Sequence, residues 1–160
     1  MFTNILPDGT FCTTKAGLAV GTTTTLTTTA TQLYDIKGVA YTKAAVSNEA
    51  TPTLDSLTGV AFLPVPVGSG SEFTICRDSA GALKAVQGQI VTLDVNNAFV
   101  LRPQMAPIPD TICPIGCVTV KVGTTGANWT FGASNFAGPP TGVAFVFNDF
   151  IGGVPDRPVA

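Results

Sequence analysis

An all-β fold is predicted for this 160-residue chain: a single β-sandwich or β-barrel of short antiparallel strands behind an extended N-terminal arm. Three observations predict it. The sequence holds 24 Thr, 17 Val and 8 Ile, so 49 residues are β-branched, stiff at χ1 and better suited to a pleated surface than to a helix. Charged helix formers are scarce, with 5 Lys, 3 Arg and 2 Glu. Short alternating runs are separated by turn residues about every 8–12 positions, the rhythm of sandwiches and barrels. A disordered chain would carry more charge and fewer apolar residues. The length suits one domain that buries roughly 70% of its unfolded surface.

In chain order, Met1–Lys15 has one Pro7-Asp8-Gly9 turn and little alternation, and reads as an arm. Thr22–Thr29 is threonine throughout except at Leu26. It reads either as an exposed strand with its hydroxyls in water, or as an edge that pairs with a neighbouring subunit. Edges are usually blunted by Lys or Pro, and the run has neither. Residues 1–31 are accordingly set apart as arm and Thr-rich segment, and 32–160 as the β-domain. Tyr34–Lys43 alternates across a break at Gly38. Gly59–Gly68 contains Pro64 and Pro66, which remove ladder donors, so it cannot be a central strand. It suits an extended segment that covers the domain's own core or contacts another chain.

Phe73–Arg77 and Ala82–Val86 flank the turn Asp78-Ser79-Ala80-Gly81. Ile90–Val95 and Ala98–Arg102 flank Asn96-Asn97, where asparagine tolerates positive φ. The clearest strand is Cys117–Gly123, with Val118, Val120 and Val122 on one face and Thr119 and Lys121 on the other. Asn128–Phe131 places Trp129 and Phe131 on one side. In Val143–Asn148 both faces are partly apolar, so this strand is expected to be central or covered on both sides.

The chemistry is sparse. The chain has no histidine, which removes Ser-His-Asp and Cys-His arrangements and the usual proton carrier near neutral pH. Most acidic residues stand in turn contexts, such as Asp8, Asp78 and Asp110, where side-chain to backbone bonds explain them. No P-loop or dinucleotide fingerprint is present. Cys12, Cys76, Cys113 and Cys117 are poorly spaced for zinc and read as buried, reduced thiols of a chain folded in cytoplasm, with a Cys113–Cys117 disulfide as the alternative. No cofactor or metal is expected. Eight basic residues against ten acidic ones argue against nucleic acid. No stretch approaches 18 apolar residues, and Met1–Asp8 lacks the regions of a signal peptide, so no membrane partner is expected. The mean hydropathy of +0.39 points instead to apolar surface buried against a partner.

Ala106–Gly116 leads into the valine strand, followed by Asn128-Trp129-Thr130-Phe131-Gly132 and the closing Val154-Pro155-Asp156-Arg157-Pro158. With the Thr-rich first third, this layout resembles small head-module structural proteins of tailed bacteriophages, best the capsid decoration, or cement, proteins. The resemblance covers roughly the last 60 residues closely. It implies a virion protein made in the host cytoplasm that binds the outer surface of the major capsid protein. It further implies association with itself, commonly as a homotrimer, to tie shell subunits together. The expected contact residues are Phe2, Ile5, Leu6 and Phe11 of the arm; Thr22, Thr24, Leu26 and Thr28 of the Thr run; and Phe62, Val65 and Val67. A tail or fibre component is an alternative. A carbohydrate-binding module carried by Trp129, Tyr34 and Tyr41 is another.

Overall fold

Residues 9–152 are described by a computed structural model of the chain. Among them are eleven strands and no helix: β1 Phe11–Cys12, β2 Leu18–Val20, β3 Thr25–Thr28, β4 Gln32–Ile36, β5 Val39–Lys43, β6 Val46–Ala50, β7 Ser69–Asp78, β8 Leu83–Gln87, β9 Val91–Thr92, β10 Ile112–Val122 and β11 Val143–Asp149. The expected all-β class holds. The main sheet runs β11-β10-β7-β8, with β9 also on β7; two three-stranded sheets run β1-β4-β5 and β2-β3-β6. All pairings are antiparallel and each sheet is open, which is a sandwich-like arrangement and not a closed barrel.

The hairpins form where turn chemistry allows. Lys37 (φ 52) and Gly38 (φ 76) both sit in the left-handed region between β4 and β5, the requirement of a two-residue turn whose twist matches its strands. Between β7 and β8, Asp78 Oδ1 accepts from the N–H groups of Ala80 and Ala82, both at 2.9 Å. Asp94 turns the chain in the same way, its Oδ1 accepting from Asn96 and Ala98 with Asn97 at φ 57, but the strands expected on either side do not form: only Val91–Thr92 is a strand, it pairs with β7, and a single Leu93–Phe99 bridge joins the two arms.

Strand β10 is longer than the alternation indicates because it begins before Pro114. Its register on β7 shifts between Pro114 and Gly116, and β11 pairs only from Gly116 onward. A bulge beyond the end of the neighbouring ladder is where a strand tolerates proline. The shift also reverses the facing of the chain. Cys113 joins the main core, whereas Cys117 reaches Glu72 on the opposite face, so a Cys113–Cys117 disulfide is ruled out and all four cysteines are buried and free.

Several expectations are corrected. The Thr run is neither an exposed nor an edge strand: β3 lies between β2 and β6, and its hydroxyls serve the backbone of its own domain. Thr28 Oγ1 accepts from Val46 N and Thr27 Oγ1 from Asn48 N, both at 3.2 Å. Nor is the segment up to Lys15 an arm within the described residues. Phe11 and Cys12 pair with Asp35 and Tyr34, and Gly152 N donates to Cys12 O at 2.7 Å. No boundary falls at residue 31, because Cys12, Leu18 and Leu26 share one core with Phe73 and Val118. Asn128–Phe131 forms a single bridge, Val65 to Trp129, instead of a strand. Finally, β11 is an edge strand with Ala144, Val146 and Asn148 exposed; its alternating small and apolar outer face is not covered.

The core is aromatic on one side of the main sheet. Phe73 stacks on Phe131 at 4.8 Å and meets Phe62 and Trp129 edge-on. Phe136 closes the cluster against Trp129 and Phe145, and Trp129 Nε1 donates to Asn135 O at 3.2 Å. Gly59–Gly68 crosses this cluster, pinned by reciprocal bonds between Val65 and Trp129. The opposite face carries a smaller core of Cys76, Val86 and Ile112, strapped by Ala106 and Ile108.

The sheets meet at Arg77 of β7, which is fully buried. Its guanidinium makes two bonds to the Glu49 carboxylate of β6, at 2.6 and 2.7 Å, one from Nε to Gln32 Oε1 of β4 at 2.8 Å, and one to Gly81 O at 3.0 Å. Removing one partner of a buried ion pair strands the other and costs about 3–5 kcal/mol. Arg77→Ala is expected to lower unfolding stability by about that much, and Arg77→Met with Glu49→Met to lower it by less; urea midpoints of the two variants check this.

Candidate interaction surface

The reactive groups are held out of chemistry by their surroundings. Cys117 donates to Glu72 Oε1 at 3.1 Å; burial, reinforced by that carboxylate, pushes its thiol up to about 12. Burial does the same to Cys113, also to about 12, with Cys12 and Asp35 adding to it. Cys12 and Cys76 are raised by burial as well. The thiolate is the nucleophile and metal ligand, and near neutral pH these four thiols keep their protons.

The carboxylates have structural duties. Asp55 caps a loop, accepting from Leu57 N, Thr58 N and Gln87 N. Asp149 accepts from Leu18 N at 3.0 Å, and Asp110 pairs with Lys37 at 2.7 Å. Among the described residues no three His, Cys, Asp or Glu side chains gather into a metal-holding group. A groove of about 650 Å³ lies between Pro52–Ser56 and Asp78–Lys84. Its charged lining is engaged in the Asp55 and Asp78 turns and in the Lys84–Asp78 ion pair at 3.5 Å.

What the surface does offer is apolar. Two smaller grooves of about 350 and 240 Å³ meet at Gln89 and Ile90, which line both; Val60 and Leu63 border the first part of this furrow, and Val100 and Leu101 the second. Backbone geometry builds it. Leu63 N donates to Gln87 Oε1 at 2.8 Å while Gln87 Nε2 donates to Leu63 O at 2.9 Å, a double clamp that keeps the Leu63 side chain 64% exposed. Val100 N donates to Thr92 O, and the Asp94 turn holds up the far wall, where Leu101 is 72% exposed. Val95 stands fully out at the tip of the same hairpin.

The sequence-predicted contact residues divide sharply. Phe11, Thr22 and Val67 are exposed and Thr24 is half-buried. Leu26, Thr28, Phe62 and Val65 are buried inside the chain and are withdrawn as contact residues. Phe2, Ile5 and Leu6 lie outside the described residues. Within Gly59–Gly68, Phe62 and Val65 turn inward to the aromatic cluster, and Val60, Leu63 and Val67 turn outward. Burial here recurs at every third residue, the repeat of an extended proline-rich segment and not the alternation of a strand. Val100 and Leu101 were missed because they read as the second arm of a hairpin whose pairing ends early. The sugar-binding alternative loses its platform, since Trp129 and Tyr34 are buried and Tyr41 is half-buried against Tyr34.

The thiols give a pH dependence whose sign is fixed. Their folded values lie above the ordinary 9.0, so above pH 9 the unfolded chain releases protons that the folded chain retains. Stability is therefore expected to be fully present below pH 9 and to fall as pH rises toward 12. The slope is about 1.4 kcal/mol per pH unit for each such thiol, and Cys113→Ala with Cys117→Ala should flatten it in urea titrations. Comparison with protein-family models, with curated proteins and with solved structures returns no match for this chain.

Proposed function

We propose that this chain is a virion structural protein that docks on the outer surface of a bacteriophage capsid and steadies the head by bridging shell subunits. The furrow bordered by Val60, Leu63, Val100 and Leu101 carries the reading. These side chains are held outward by backbone and glutamine bonds instead of folding onto the core, and contiguous exposed apolar surface marks an interaction site. Covering one leucine or valine is worth about 1.5–3 kcal/mol, so a single furrow gives modest affinity. Occupying many equivalent sites on a shell multiplies it through effective concentration.

The surrounding chemistry supports a binding role. The thiols are protonated and buried, Asp55, Asp78 and Asp94 cap turns, and Glu49 and Asp110 join ion pairs. A body stitched by one buried arginine and packed on aromatic rings presents its surface with little loss of conformational freedom on docking. Residues Phe2, Ile5 and Leu6 remain proposed contacts alongside the furrow. Because β1 and Cys12 belong to the core, a truncation that tests them must stop at Asp8.

The reading is tested by the copy number of the chain in purified particles, measured by quantitative mass spectrometry against the most abundant shell protein. Hundreds of copies in a simple ratio are expected. A handful of copies would move the chain to the tail or fibre, and absence would remove it from the virion. Leu63→Ser combined with Leu101→Ser is expected to lower occupancy on heads at least tenfold, with the thermal midpoint unchanged because both side chains already face water.

A further inference from the structure

Sheet edges invite foreign strands, and folded proteins blunt them with short strands, lysine, proline, irregular backbone or a covering segment. Those devices are visible here. The β8 edge is covered by the loop between β6 and β7: Ser56 N donates to Ala85 O and Gln87 N to Asp55 Oδ2, both at 2.9 Å. Strands β1, β2 and β9 have two or three residues. Strand β5 ends on Lys43, and β6 contains Asn48 at φ 56. Strand β11 has almost none of them: apart from β10, only its last residue, Asp149, is bonded by another strand, accepting from Leu18 N of β2 at 3.0 Å. It runs seven residues, Val-Ala-Phe-Val-Phe-Asn-Asp, without lysine, proline or a left-handed residue, and pairs with β10 alone.

The hydrogen-bond parity of this edge can be read from the bonds that flank it. Gly123 N donates to Gly142 O and Phe150 N to Ile115 O, at 2.8 and 3.0 Å. In an antiparallel ladder, paired residues alternate between those that exchange bonds and those that do not. In the observed register, Ala144, Val146 and Asn148 therefore bond to β10, while Val143, Phe145, Phe147 and Asp149 turn their backbone groups outward. Val143 N is taken by Pro140 O at 3.1 Å. Both groups of Phe145 and Phe147 are left facing solvent, evenly placed about Val146.

We propose that a second copy of this chain pairs with β11 edge to edge, antiparallel, about a two-fold axis at Val146. That register overlaps the whole strand. It sets Phe145 opposite the second copy's Phe147 and the reverse, so the outward N–H and C=O groups of both residues find partners. It brings the two Val146 side chains together as a non-hydrogen-bonded pair, the closer type, with Cα atoms about 4.5 Å apart. No like charges meet: Asp149 falls opposite the second copy's Val143, and the exposed row Ala144, Val146 and Asn148 is neutral. The two main sheets become one continuous sheet, and the most vulnerable edge of the fold is closed by an identical edge, the self-complementary contact of a two-fold dimer. The inference is independent of the capsid reading, and it differs from the three-fold association that the phage resemblance implies.

Sedimentation velocity of the full chain tests it. The wild type is expected to sediment as two 16.4 kDa chains at micromolar concentration. Val146→Lys, which sets two lysines opposite each other at an exposed site, is expected to weaken the dimer at least tenfold with an unchanged far-UV circular dichroism spectrum. Val146→Cys is expected to give a covalent dimer on mild oxidation with oxidised glutathione, while Leu63→Cys, equally exposed but remote from the edge, does not. A wild type that stays monomeric up to millimolar concentration, or that sediments as a trimer, overturns the proposal. So does a dimer that Val146→Lys leaves intact and Val146→Cys fails to cross-link.

Discussion

One guanidinium holds the three sheets in a common frame. Arg77 projects from the central strand of the main sheet and meets Glu49 from one small sheet and Gln32 from the other. Apolar packing alone is non-directional and would let two small sheets slide across a large one. A planar fork with fixed donor directions does not permit that. Four bonds from the guanidinium offset the cost of burying it, since a buried cation with unpaired N–H groups would oppose folding. The Gly81 carbonyl takes one of the four, so the β7–β8 turn also reports to the same group. What the arginine contributes is therefore registry more than raw stability.

The sequence made local structure legible and concealed how segments share surfaces. The turns at Asp78–Gly81 and Asn96-Asn97 are legible because their residues act on their immediate neighbours, whereas the break at Gly38 does not by itself reveal a hairpin, and the strands expected beside Asn96-Asn97 shrink to β9 and a Leu93–Phe99 bridge. The valine face of β10 is legible too. The Thr run misled because threonine serves two purposes: it has high strand propensity and it bonds nearby backbone. Only the positions of Gly17, Val46 and Asn48 reveal that the hydroxyls are used internally. Strand β11 misled for a related reason, since an apolar outer row on an edge looks the same in sequence as one covered by another layer. Gly59–Gly68 was correctly denied a central place by its prolines, but which residues face inward depends on Val65 finding Trp129, a partner more than 60 positions away.

The candidate surface was legible only as an excess. High hydropathy with little charge indicated apolar area to be covered, without saying where. The furrow arises from Gln87, a polar side chain that clamps Leu63 by both its oxygen and its nitrogen. No periodicity argument singles out that glutamine. The thiols show the converse. Their burial was expected from composition, yet the separation of Cys113 from Cys117 depends on a single shift in the β10 ladder.

The bond from Gly152 N to Cys12 O joins residues 140 positions apart, and the Cys12 thiol also points at the Phe150 carbonyl. During synthesis, the first strand can therefore find its final setting only after almost the whole described domain has left the ribosome. At about 5–20 residues per second, that delay is roughly 7–28 s. Throughout it, Cys12 and the strands that precede β7 are nascent chain without their principal sheet. The bonds of Cys12 to Phe150 and Gly152 are thus among the last that can form, and this earliest cysteine spends longest exposed to the reducing or oxidising character of the compartment in which it is made.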